Sequence, residues 1–199
     1  NLVRLRLSAK SIEHSVEELS TQIQEVFNQI KMIIGDSWFE GETRLSAVVG
    51  ESLVTNEKTI GTIESCTGGF IASKLTEIPG SSAYFKGSLL TYAYETKVSL
   101  AKIDQNLLNE VGAVSKEVCE MMAKNAQDIL EVDYCISSTG IAGPGGGTNE
   151  KPVGLVFIGL AKPDGSVMVE KCQFYGTRQQ IVERTSNKAL DMLRKAIKS

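Results

Sequence analysis

Thr62-Ile63-Glu64-Ser65-Cys66-Thr67-Gly68-Gly69 reads as a buried strand that runs into a glycine turn and opens a helix at Phe70. A turn of this kind aims small hydroxyl and thiol side chains outward. It also brings the first free N–H groups of the following helix toward any developing negative charge.

The pattern on both sides repeats this strand-and-helix alternation. Leu45, Val48, Val49 and Leu53 predict a helix, 59–64 a buried strand, 70–75 a helix, 85–93 a strand and 98–108 helical turns. Residues 118–130 predict a further helix, 134–138 a strand, 153–160 and 167–174 a strand pair, and 178–197 a closing helix. Pro163-Asp164-Gly165 is a turn signal that makes the last pair an antiparallel hairpin. The expected fold is therefore α/β, a three-layer α/β/α sandwich with a mixed sheet, over residues 44–199.

Residues 1–43 differ. Positions 2–8 alternate as a strand, and Ile12, Val16, Leu19, Ile23, Val26, Ile30 and Ile34 mark one face of a long helix ended by Gly35. Residues 36–39 predict a short returning strand. One helix and two short strands hold too little core to stand alone, so this segment reads as a partial α+β subdomain. Because the chain opens inside an alternating pattern and without methionine, it is expected to be a fragment of something longer.

Composition narrows the function classes. A net charge of -3 over 199 residues offers no electrostatic footprint for nucleic acid, so any anion must be held by a local device. No apolar run approaches the roughly eighteen residues that span a bilayer. Cys66, Cys119, Cys135 and Cys172 lack paired metal-site spacing and are expected as thiols in a reducing, cytoplasmic compartment. No metal and no cofactor are expected.

The single histidine is His14, far upstream of Ser65, so a serine–histidine couple would need the N-terminal segment to fold over the turn. Lysine is the other side chain that burial can tune into a base, and Lys74, Lys86 and Lys97 are the nearby candidates. Lysine titrates near about 10.4 in water, so acting at neutral pH demands strong desolvation or a neighbouring cation. Lys97 and Tyr92 fall where a strand gives way to a helix, the end at which α/β folds hold ligands. Cys66 is the rival nucleophile, but on an extended segment its side chain should point away from that of Ser65.

A second glycine segment, Ser137-Ser138-Thr139-Gly140-Ile141-Ala142-Gly143-Pro144-Gly145-Gly146-Gly147-Thr148, also follows a strand. It matches neither a Walker nor a Rossmann spacing, and it reads equally as an anion nest or a flexible crossover loop.

Together, 64–69, Thr91-Tyr92 with Lys97, Gly112-Ala113-Val114-Ser115, 139–146 with Lys151-Pro152-Val153-Gly154, and Gly176-Thr177-Arg178 resemble the CinA C-terminal domain family. Its enzymatic members are nicotinamide-nucleotide amidases. Residues 1–43 resemble the end of the subdomain that precedes the amidase domain in longer members. The resemblance implies Ser65 as nucleophile, Lys97 as base and Tyr92 as an auxiliary hydroxyl. It also implies that a small nucleotide substrate is held by Thr67, Gly68, Gly69, Thr139, Gly140, Ala142, Gly143, Gly145, Gly146 and Arg178. A homodimer is the expected assembly. The alternative is a non-catalytic nucleotide-binding or regulatory domain of a competence- or damage-inducible protein.

Overall fold

In the computed structural model of the chain, residues 3, 5–35, 38–39 and 44–198 are described, the last by its backbone alone. The chain divides into two compact units, Asn1–Thr43 and Arg44–Ser199.

The first unit contains helix α1, Val16–Ile34. Its start is set by a capping box: the Ser15 Oγ accepts the Glu18 N–H at 3.2 Å, and the Glu18 carboxylate accepts the Ser15 N–H at 2.7 Å. The predicted start at Ile12 is too early, because Ser11 Oγ turns the preceding backbone by accepting the N–H groups of Glu13 and His14. Gly35 ends the helix as expected, at φ 55°. Val3 and 5–8 form no strand, and both Val3 and Leu5 are exposed. Apolar alternation forms a strand only where a partner ladder exists, and none of the described residues supplies one. Of the predicted strand at 36–39, residues 36 and 37 lie outside the described residues, and 38–39 are not in a strand.

The second unit runs α2 (Leu45–Thr55), β1 (Ile60–Glu64), α3 (Phe70–Thr76), β2 (Phe85–Leu90), α4 (Tyr94–Ser99), α5 (Gln105–Val111), α6 (Lys116–Leu130), β3 (Tyr134–Gly140), β4 (Leu155–Ala161), β5 (Val167–Gln173) and α7 (Arg178–Lys198). The strand order is β2-β1-β3-β4-β5. β2, β1 and β3 are parallel, and β4 and β5 follow as an antiparallel hairpin. Helices α2, α3 and α7 pack together on one face, while α6, with α5 against it, covers the other. This is the three-layer sandwich with a mixed sheet that the alternation predicts.

Most boundaries agree to within two residues, and two regions differ by more. β2 stops at Leu90, three residues early, because Ala93 is already the N-cap of α4. The predicted helical turns at 98–108 resolve into α4 and α5, separated by Lys102 at φ 55° and by Asp104, whose carboxylate caps α5 through the Asn106 N–H at 2.7 Å.

Every residue of β1 is buried, as a strand sandwiched between two helical layers must be. Ile63 packs with Met122, Ala123 and Ala126 of α6. Two residues earlier, Gly61 lets α6 come close: a Cβ there would lie 2.5 Å from Leu130 Cδ1. The chain leaves β1 for an edge strand, β2, and later returns to β1's other side as β3. That reversal puts a crevice at the carboxyl end of β1. No helix among the described residues is long and apolar enough to cross a membrane.

Ile63 has no solvent exposure, so Ile63→Ala is expected to lower unfolding free energy by about 2–5 kcal/mol in urea titration. Val54→Ala, at an exposed helical position, is expected to change it by no more than about 0.5 kcal/mol.

Candidate active site

The carboxyl end of β1 carries three successive side chains with different fates. Glu64 turns toward α3, Ser65 meets Lys97, and Cys66 is buried.

Lys97 lies in α4 and is 1% exposed. Its Nζ is 3.0 Å from Ser65 Oγ, 2.7 Å from the Thr91 carbonyl and 3.3 Å from the Tyr92 carbonyl. No carboxylate among the described residues is within ion-pair distance. Burial pushes the Lys97 pKa below the usual lysine range, opposed by the neighbouring Cys66. Three acceptors face Nζ, the two carbonyls and the Ser65 hydroxyl; in the neutral amine two N–H bonds serve the carbonyls and the lone pair is left for the Ser65 hydroxyl. Of the three lysine candidates, Lys97 is the one that meets Ser65; Lys74 lies over the Phe70 ring and Lys86 reaches the Ala83 carbonyl.

The rival nucleophile is in a different state. Burial, with Glu64 adding to it, pushes the Cys66 thiol up to about 12, so it stays protonated at neutral pH.

Where the helix N-terminus was expected to face the reacting charge, Glu64 already occupies it. Its carboxylate accepts the N–H groups of Gly69 (3.0 Å), Ile71 (3.1 Å) and Ala72 (2.8 Å) and the Thr67 hydroxyl (2.6 Å). Sequence reasoning placed Glu64 in the strand and missed this role. The legible signal was a glutamate at the end of a buried-strand pattern, just ahead of a helix start. Thr67 has one hydroxyl proton and gives it to Glu64, so Ser138 Oγ, 2.7 Å away, donates to Thr67. The Gly68 N–H returns to the Ser65 carbonyl at 3.1 Å. In this turn the N–H groups of Cys66 and Thr67, which directly follow the serine, donate to no group among the described residues.

The expected substrate contacts separate into three sets. Tyr92, Gly143 and Arg178 come together: Arg178 Nη1 donates to the Gly143 carbonyl at 3.0 Å, and Nη2 donates to the Tyr92 hydroxyl at 2.8 Å. The Tyr92 hydroxyl thus meets the arginine rather than Ser65, and only its carbonyl touches Lys97. A second set is spent on the fold. The Thr139 hydroxyl donates to the Ala113 carbonyl at 2.7 Å, a Cβ on Gly140 would lie 2.7 Å from the Leu155 carbonyl oxygen, and the Thr67 hydroxyl, Gly68 and Gly69 are committed as described. The third set is open: Ala142, Gly143, Gly145 and Gly146 have N–H groups without an acceptor among the described residues, and a Cβ on Gly145 would meet nothing within 4 Å. Lys151 pins the far side of this loop by donating to the Val111 carbonyl at 2.7 Å.

No group of three His, Cys, Asp or Glu side chains among the described residues is placed to hold a metal ion. A separate cleft of about 590 Å3, lined by Thr59, Gln127, Asp133 and Lys162 among others, lies at the opposite end of β1 and β3 and has no nucleophile–base pair.

Fold and site define a class: an α/β/α domain whose topological switch point holds a buried serine–lysine pair beside an open glycine loop. The model of the CinA C-terminal domain matches residues 42–197, and the chain belongs to that family. It is 42% identical to a CinA-like protein of Flavobacterium psychrophilum over 98% of this chain and 46% of that protein. It is 43% identical to a CinA-like protein of Crocosphaera subtropica over 98% of this chain and 47% of that one. The chain therefore spans about half the length of these relatives. Among solved structures, the competence/damage inducible protein CihA of Agrobacterium tumefaciens is similar with a TM-score of 0.72 and 35% identity, covering 81% of this chain and 99% of that one. A CinA superfamily protein of Klebsiella pneumoniae is similar with a TM-score of 0.75 and 25% identity, covering 77% and 96%.

The lowered pKa of Lys97 has a stability consequence. Between that lowered value and the ordinary 10.5, the unfolded chain binds more protons than the native one, so this group's contribution to stability grows as pH rises through the window. Below the window the full penalty of burying the charge remains. The difference in unfolding free energy between the parent and Lys97→Met is expected to change in that direction across alkaline pH. A pH-independent difference in denaturant titrations would show that Lys97 titrates normally.

Proposed function

We propose that this domain hydrolyses the carboxamide of nicotinamide mononucleotide, releasing ammonia and nicotinate mononucleotide. The observation that carries the reading is the 3.0 Å contact between the buried Lys97 amine and Ser65 Oγ, with the amine held on two carbonyls. The family resemblance supports the choice of substrate.

In the first half-reaction Lys97 takes the Ser65 proton as Oγ bonds to the amide carbon. The oxyanion is received by the free N–H groups of Cys66 and Thr67. The protonated Lys97 then gives its proton to the leaving nitrogen, the C–N bond breaks, and ammonia departs from a serine ester. In the second half-reaction Lys97 takes a proton from water as the water oxygen attacks the ester. The tetrahedral intermediate collapses with return of a proton to Ser65 Oγ, freeing the nicotinate carboxyl group. The 5′-phosphate is taken by the Arg178 guanidinium and the open N–H groups of 142–146, a charge-assisted contact beside a backbone nest. On this reading Tyr92 acts by holding Arg178 rather than by moving a proton. The domain works on a small cytoplasmic nucleotide and, as a proposal, as a homodimer.

Ammonia release from nicotinamide mononucleotide is expected for the parent chain. Folded Ser65→Ala and Lys97→Ala are each expected to lose roughly 1,000-fold or more in kcat. Iodoacetamide is expected to leave the parent active, whereas rapid inactivation protected by substrate would move the nucleophile to Cys66. A folded parent that binds the nucleotide and releases no ammonia would favour the non-catalytic, regulatory reading.

A further inference from the structure

Glu64 is fully buried and has no charged partner among its hydrogen bonds, yet it collects four donors from the residues just after the nucleophile. Three are the N–H groups that would otherwise stand open at the start of α3, and the fourth is the Thr67 hydroxyl. Thr67 is in turn held by Ser138 on the neighbouring strand, at 2.7 Å. The turn is therefore clamped from both sides, by the strand before it and the strand beside it.

We infer that Glu64 is a positioning residue for acyl transfer at Ser65, acting through Thr67. The inference rests on the reading of Ser65 as nucleophile, and it is independent of which amide is the substrate. The carboxylate does two things at once. It absorbs the helix N–H groups, so that they do not compete for a developing oxyanion. It also fixes Thr67 by its side chain, and so fixes the direction of the Cys66 and Thr67 N–H groups that remain open. Those groups gain value only if they are already aimed when charge develops, because turning them during the reaction costs the energy they would supply. Gly68 and Gly69 have φ of 62° and 93° with nothing within 4 Å of a would-be Cβ, so no side-chain packing fixes the backbone at these two positions. There the Glu64 carboxylate and the Thr67 hydroxyl, together with the Gly68 N–H on the Ser65 carbonyl, set the path of the turn.

The test uses two readouts on the same proteins: steady-state ammonia release, and the rate at which a fluorophosphonate phosphonylates Ser65, located by peptide mass. Phosphonylation needs the nucleophile, the base and the oxyanion donors, but not the natural substrate. Glu64→Gln keeps the shape and replaces one acceptor oxygen by a donor facing N–H groups. It is expected to lower kcat and the labelling rate by about 100-fold, with KM within about threefold of the parent. Thr67→Val is expected to do the same, and Thr67→Ser to recover most of the rate, because the serine hydroxyl can still bridge Glu64 and Ser138. If Glu64→Gln does not fold, the Thr67→Val and Thr67→Ser pair decides. Folded variants that label and turn over like the parent would overturn the inference while leaving the serine–lysine reading intact. A parent that labels at Ser65 but releases no ammonia overturns the substrate reading alone, and the labelling rates still decide the role of Glu64. A parent that does not label at all overturns both.

Discussion

The constraint on which the site depends is the sealing of an amine away from water. Lysine is costly to bury as a cation, and Lys97 has neither a carboxylate nor solvent to offset that cost. Among the described residues its hydrogen-bond partners are two backbone carbonyls and a hydroxyl. Both carbonyls belong to the segment between β2 and α4, so the edge strand β2 has to end where it does. β2 in turn is placed by its register with β1, in which Glu64 lies opposite Leu90. The position of the pair is thus a joint product of strand pairing, which places Ser65 and the two carbonyls, and of α4, which carries Lys97.

Much of this was legible from residue order. The buried-strand approach to Ser65, the glycine pair after it and the strand-to-helix position of Lys97 make both residues candidates in a chain with one distant histidine, but residue order leaves Lys74 and Lys86 as rivals, and it is the family resemblance that couples Lys97 to Ser65. The sandwich too follows from alternating elements. What periodicity could not reveal is which hydrogen bonds a polar residue makes. Glu64, Thr67 and Thr139 all sit among motif residues and all look available to a ligand, yet each is consumed internally. Tyr92 illustrates the converse. Its place in the motif suggests work at the serine, but its side chain is exposed and reaches Arg178, a partner 86 residues away. Of the strand expected at 2–8, residues 2 and 4 lie outside the described residues, and 3 and 5–8 form no strand for a simpler reason, since alternation describes one strand and a sheet needs two.

The glycine segment divides along the same line between fold and function. Gly140 and Gly147 are required because neighbouring backbone comes within 2.7 Å and 2.8 Å of where a Cβ would stand. Gly145, by contrast, faces open space. A run that looks uniform in sequence is therefore half hinge-free packing and half accessible backbone, with Arg178 anchored at the boundary on the Gly143 carbonyl.

The two-carbonyl clamp around Lys97 also restricts how this site can drift over generations. Arginine, the usual conservative exchange for lysine, brings a guanidinium that stays charged at any physiological pH and spreads five donors over a rigid plane. A pocket shaped for one small amine with a lone pair has no use for either property. On the proposed function, neighbouring sequences could therefore reach this chemistry only through lysine itself. A lineage that lost the amine would keep the glycine loop and its arginine, which on that same proposal is a scaffold for holding nucleotides without changing them.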